Sequence, residues 1–207
     1  MMRFTTMKTK LRKYPSIFLI LLLAISSCFL TGCVNQHPKD SKKSSQGESV
    51  ETMLEITDPK EKQAVLNAKA KVKALSGNPR IVATSPAVAD ICDKLDLDLV
   101  GVPKSSVSKI PSRYKKVKKV GLAMSPDMEI VSSLNPDWIL APSSLETDLK
   151  PKFEELKNTE YAFLNLRSVQ GMYRSVQELG EIFGKQQEAE KMTKEFTTFY
   201  KKLYKTK

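Results

Sequence analysis

Three short segments pair serine with proline in a way that could start a helix and hold an anion: Thr84-Ser85-Pro86, Met124-Ser125-Pro126-Asp127 and Ala141-Pro142-Ser143-Ser144. A serine before proline caps a helix through its hydroxyl, and proline tolerates the first helical position because its missing N–H would be unpaired there anyway. Several helix amino ends aimed at one cleft would make a site for a carboxylate or phosphate, through free N–H groups and the helix dipole. The plainer alternative is that each segment only starts a helix. Between Lys109 and Lys119 lie six cations and no acid. That run is either a solvated face or the rim of an anion site on the ligand side, with Tyr114 offering a ring and a hydroxyl. Other chemistries lack their residues: there is no G-x-S-x-G, H-E-x-x-H, C-x-x-C or phosphate loop. The single histidine, His37, lies in a polar stretch where no site could be preorganised. A hydrolase triad or a zinc centre is therefore disfavoured, and the chain is expected to bind rather than to catalyse.

The elements that must position these residues alternate clearly. Ile81–Thr84 reads as an apolar strand, Pro86–Leu95 as a helix and Leu97–Val102 as a second strand, followed by the basic loop. Pro126–Leu134 reads as a helix, Trp138–Ala141 as a strand, Leu145–Leu156 as a helix and Tyr161–Leu166 as a strand. Strands separated by helices of this length imply right-handed crossovers and a mainly parallel sheet, so the expected class is α/β over residues 80–184. In such a sheet, ligands sit beyond the carboxyl ends of the strands. A helical lead-in over residues 58–79 precedes it, with Val65, Leu66, Val72 and Leu75 as a thin apolar stripe before Gly77-Asn78-Pro79 breaks the chain. From Val169 onward the pattern is helical, with a break at Gly184-Lys185. The last helix, residues 185–207, carries Ala189, Met192, Phe196, Phe199, Tyr200 and Leu203 and shows no cap, Gly or Pro to end it. Cys92 shares a helix face with Val88, Ile91 and Leu95, so its thiol is expected in the core.

The amino-terminal part has a different character. Lys8, Lys10, Arg12 and Lys13 precede an apolar run from Ile17 to Leu30, the charge-then-core layout of a secretory signal. Leu30-Thr31-Gly32-Cys33 closes it and is similar to a bacterial lipobox, which implies a signal over residues 1–32 and a lipid on Cys33. Acyl chains contributing roughly 0.8 kcal/mol per buried methylene would anchor the protein in a cell membrane, on its extracellular face. An ordinary cleaved signal or a membrane helix are the alternatives. Residues 33–57 are polar, rich in Lys, Ser and Gln, and are expected to be a disordered tether. The net charge of the 207 residues is +11. The leader's five basic residues and no acid leave +6 for the rest. That modest excess suits an anionic membrane surface or ligand, and nucleic acid is disfavoured behind a secretory leader.

Five segments together carry a resemblance: R-I-V-A-T-S-P from Arg80, D-K-L-D-L-D-L-V-G-V-P from Asp93, Y-K-K-V-K-K-V-G from Tyr114, M-S-P-D-M-E-I-V from Met124 and F-L-N-L from Phe163. They resemble the haem-receptor lipoproteins of the Gram-positive iron-regulated surface determinant system. More broadly, the chain resembles the iron-siderophore and cobalamin class of ABC-transporter binding proteins. The resemblance implies two lobes joined by a long helix, with the ligand between them. It implies here one Rossmann-like lobe and part of the interlobe helix, with the second lobe and its histidine ligand absent. The ligand would be haem b, carried without chemical turnover to a membrane permease. Met124 would be the axial ligand of the iron, a soft thioether donor suited to haem; without the resemblance it reads as a gap-filling methionine. Ser85, Ala87 and Val88 would present backbone N–H groups to the propionates, with Tyr114, Lys115 and Lys116 as further candidates. Glu129 would dock on the permease, or else is a solvated helix charge. Two other functions stay open: a ferric siderophore as the ligand, for which Arg113 is the obvious arginine near the cleft, or a lipid-anchored interaction module without ligand.

Overall fold

The computed structural model of the chain describes residues 3–4 and 54–205. The expected leader apart from Arg3–Phe4, the lipid site Cys33, His37 and the tether as far as residue 53 lie outside the described residues. The elements run, in order, β1 (Arg3–Phe4), α1 (Pro59–Lys73), β2 (Ile81–Ala83), α2 (Pro86–Lys94), β3 (Leu99–Val102) and β4 (Lys118–Lys119). They continue with β5 (Gly121–Leu122), β6 (Ser125–Pro126), α3 (Met128–Ser133), β7 (Trp138–Pro142), α4 (Glu146–Glu154), β8 (Glu160–Leu164), α5 (Val169–Phe183) and α6 (Gln186–Lys205). Six strands form one sheet in the order β1-β8-β7-β2-β3-β4. Every pair is parallel except β1 with β8. From β2 the chain builds outward through β3 and β4, then crosses to the other side of β2 for β7 and β8. The order therefore reverses between β2 and β7, the switch point at which open α/β sheets leave a crevice.

Strand residues alternate between two apolar faces, which is why the strands read as continuous hydrophobic runs. Ile81, Ala83, Trp138, Leu140, Ala162 and Leu164 point to the face covered by α1, α2 and α5, where they meet Val65, Val88, Ile91, Val176 and Leu179. Val82, Ile139, Ala141, Tyr161 and Phe163 point the other way, to Val131 of α3 and to Leu149 and Phe153 of α4. Cys92 is a fully buried free thiol on the first face, where burial pushes its pKa up to about 12. The core position expected for it from helix spacing is the one it occupies. Gly184 takes a left-handed φ of 71° that other residues rarely adopt, and this ends α5 where the break was expected.

Between α1 and α5 lies a buried polar cluster. An Arg174 Nη2 donates to Glu61 Oε2 at 2.8 Å. Glu178, one turn along α5 from Arg174, is fully buried, and neither of its carboxylate oxygens has a hydrogen-bond partner. Burial first, and the facing Glu61 carboxylate second, raise the pKa of Glu178 to about 8. Among the described residues no helix is long and apolar enough to cross a membrane.

Candidate ligand site at the carboxyl ends of the strands

At the switch point the chain leaves β2 through Thr84, whose N–H donates to Leu140 O at 3.0 Å and thereby pins β2 to β7. Ser85 then caps α2: its Oγ accepts from Val88 N at 3.3 Å, and Pro86 occupies the first helical position. The Val88 N–H is thus taken by the cap, and Ala89 N donates to Ser85 O at 3.0 Å. Ala87 is exposed at the second helical position, where a backbone N–H has no acceptor within its own helix. Of Ser85, Ala87 and Val88, grouped together in the sequence, Val88 is the one whose N–H is engaged by the helix cap.

Beside it, β3 runs into Pro103 and the exposed Lys104, whose N–H donates to Gly121 O at 2.6 Å. Ser105 Oγ accepts from Ser108 N at 3.0 Å, closing a tight loop that leaves Val107 96% exposed. On its far side stands a two-stranded hairpin. Gly121 pairs with Pro126 and Leu122 with Ser125, so Ala123 and Met124 form a two-residue tip. Leu122 is 58% and Met124 72% exposed. The hairpin closes where Asp127 N donates to Val120 O at 2.7 Å. Asp127 then caps α3, its Oδ1 accepting from Ile130 N at 3.0 Å. Glu129 is exposed in the first turn of α3.

This geometry corrects the reading of the serine–proline segments. Ser125-Pro126 is strand β6 and not a helix start; the helix waits two residues, until the hairpin has closed and Asp127 can cap it. Pro142 ends β7, and Ser143 opens a 3-10 turn without a side-chain cap. One of the three segments, Ser85-Pro86, is a serine-capped helix start. The hairpin and the Lys104–Ser108 loop were not anticipated, because Ala-Met at the tip lacks the Asn-Gly or Asp-Gly signature of a two-residue turn. The alternation of Leu122 and Met124 was the available signal.

The basic run is corrected more sharply. β4 lies parallel to β3, so the residues just before it sit at the amino ends of the strands, opposite the crevice. Tyr114 is 2% exposed, and its hydroxyl donates to Leu97 O at 2.5 Å, just ahead of β3. Its ring and hydroxyl belong to the core and cannot reach a ligand. Lys115 and Lys116 follow it, exposed at that same end, so they line a solvated face rather than the crevice. Arg113 is also there, at 2.8 Å from both Asp96 Oδ1 and Asp98 Oδ1. The Lys185 ammonium first, and Arg113 second, hold the Asp96 carboxyl below the usual carboxylate range. The cation and arginine available at the carboxyl ends are instead Lys104 after β3 and Arg167 after β8, both exposed. Met124, on the hairpin that follows β4, lies at the carboxyl-end side of the sheet, whereas Tyr114, Lys115, Lys116 and Arg113 lie at the amino ends.

A mainly parallel sheet whose strand order reverses between β2 and β7, flanked by helices on both faces, is a Rossmann-like lobe. Residues 81–205 match the periplasmic binding protein family, and the chain belongs to that family, whose members bind and do not catalyse. Similar to it is the high-affinity heme uptake system protein IsdE of Staphylococcus aureus, 34% identical over 128 residues, which are 62% of this chain and 43% of IsdE. The chain therefore spans less than half the length of the curated relatives it matches. Among solved structures, S. aureus IsdE complexed with heme is 33% identical with a TM-score of 0.57, over 61% of this chain and 48% of that one. An ABC transporter substrate-binding protein from Listeria monocytogenes EGD-e is 44% identical with a TM-score of 0.56, over 59% of this chain and 46% of that one. The siderophore-binding protein BauB, bound to acinetobactin and ferric iron, is 25% identical with a TM-score of 0.50, over 58% of this chain and 45% of that one.

Proposed function

We propose that this chain is the haem-binding first lobe of a substrate-binding protein serving an iron-uptake ABC transporter. The observation that carries the reading is Met124. Methionine is ordinarily a buried residue, yet this one is held 72% exposed on a constrained hairpin at the crevice. A thioether presented this way is a soft, neutral donor suited to haem iron. Val107 and Leu122, also exposed, offer apolar surface that a porphyrin would cover, at roughly 25 cal/mol per Å² removed from water. Lys104 and the Ala87 N–H supply positive groups for propionates. The relation to IsdE points to the same ligand. In this reading residues 1–32, β1 included, are removed, a lipid on Cys33 anchors the protein to the outer face of a cell membrane, and exposed Glu129 meets the permease that receives the haem.

The test is a haem titration of the full chain in detergent, followed by Soret absorbance, beside Met124→Ala. The wild type is expected to give a saturable shift, and the variant to bind at least about tenfold more weakly. No shift in the wild type would overturn the haem reading. A ferric siderophore is the second reading, favoured by exposed Arg167 and by the likeness to BauB. Siderophore binding without a haem shift would establish it. A thermal midpoint unmoved by either ligand would mean an interaction module instead. Anchoring has its own check: palmitate label incorporated by cells expressing the chain is expected to be lost in Cys33→Ser. Retained label would remove Cys33 as the lipid site.

A further inference from the structure

We infer that Gly121 and Asp127 are positioning residues for Met124, together holding its hairpin as a preformed pedestal at the crevice. The inference rests on the haem reading and adds to it how the thioether is aimed. Gly121 has a φ of 95°, a conformation that side-chain-bearing residues rarely adopt. A Cβ there would stand 2.8 Å from Asp127 N, 3.0 Å from Ser125 O and 3.3 Å from Pro126 Cα. All three contacts are backbone atoms of the returning leg, so a side chain must push that leg away. Ser125, the residue it would displace, is the immediate neighbour of Met124.

Two sets of hydrogen bonds fasten the pedestal. Val120 N donates to Val102 O at 2.9 Å and Lys104 N donates to Gly121 O at 2.6 Å, tying the outgoing leg to the end of β3. Asp127 N donates to Val120 O at 2.7 Å, and the Asp127 carboxylate caps α3, tying the returning leg to a helix. Lys104 and Met124 thus sit on two loops joined through Gly121, and a shift at this residue moves both. The hairpin itself contributes little to the core: Leu122, Met124 and Ser125 are exposed, and Pro126 alone of the four is buried. A displaced pedestal should therefore leave the lobe folded while the donor is lost.

The experiment is a haem titration of the full chain, read by affinity and by the thioether-to-iron charge-transfer band, for wild type, Met124→Ala, Gly121→Ala, Asp127→Ala and Asp127→Asn. Gly121→Ala is expected to unfold cooperatively, to bind haem about 10–100-fold more weakly and to lose the band, as a displaced supporting group does. Asp127→Ala should weaken the band, and Asp127→Asn, which keeps a capping oxygen, should restore it. Wild-type affinity and band in Gly121→Ala would overturn the inference while leaving Met124 as ligand. If Gly121→Ala does not fold, the Asp127 pair decides, and equal bands in Asp127→Ala and Asp127→Asn overturn it. A wild type without the band would sink the ligation reading, and this inference with it.

Discussion

Raising the pH from about 5 to 9 is expected to lower the stability of the folded chain by several kcal/mol through the buried Glu178 beside Glu61, because each tenfold difference in proton affinity between folded and unfolded chain is worth about 1.4 kcal/mol. The cause is the fully buried carboxyl on α5, first through its burial and second through the Glu61 carboxylate that faces it from α1. In the fold its pKa is raised from 4.5 to about 8. Between those two values the folded chain keeps a proton that the unfolded chain has released. Stability therefore falls as pH rises through that window, with nothing lost below about 4.5 and the whole loss present above about 8. Glu178→Gln removes the titration and should flatten the curve, so the variant gains on the wild type as pH increases. Urea unfolding of both proteins at several pH values reads the difference; parallel curves would mean that Glu178 titrates normally.

The second large effect is expected at Phe153. Its ring is fully buried on α4, stacked on Phe163 at 5.8 Å and 15° and tilted against Tyr161 at 5.9 Å and 53°. Truncation to alanine removes a ring from the centre of this face and leaves a cavity between α4 and β8. The expected loss is about 3–5 kcal/mol for Phe153→Ala. Phe153→Leu should cost less, about 1–1.5 kcal/mol, because most of the volume is kept. Denaturant midpoints at unchanged slope measure both. A loss under about 1 kcal/mol in the alanine variant would mean that the aromatic face repacks freely.

Much of the lobe was legible in the residues because it depends on local patterns. The apolar runs at Ile81, Trp138 and Tyr161, separated by helix-length segments, required a mainly parallel sheet, and that is the sheet observed. The cap at Ser85, the break at Gly184 and the burial of Cys92 were readable for the same reason: each rests on spacing within one turn or one helix face. The candidate site was only half legible. Ser85 stood out through its place before Pro86 and Met124 only through the family resemblance, whereas Lys104, Val107 and Leu122 became candidates only once the loops were folded.

The sequence by itself determined the class, the alternation of elements and the two apolar faces, since side-chain period and helix capping act between near neighbours. Tertiary structure alone decided which end of the sheet each loop serves. Lys118–Lys119 pairs with residues near position 101, and that non-local pairing of a two-residue strand carries the basic run down to the amino ends before the chain returns. The same pairing buries Tyr114 against Leu97 and raises Met124 to the crevice, because a parallel partner must be entered from the same end as β3.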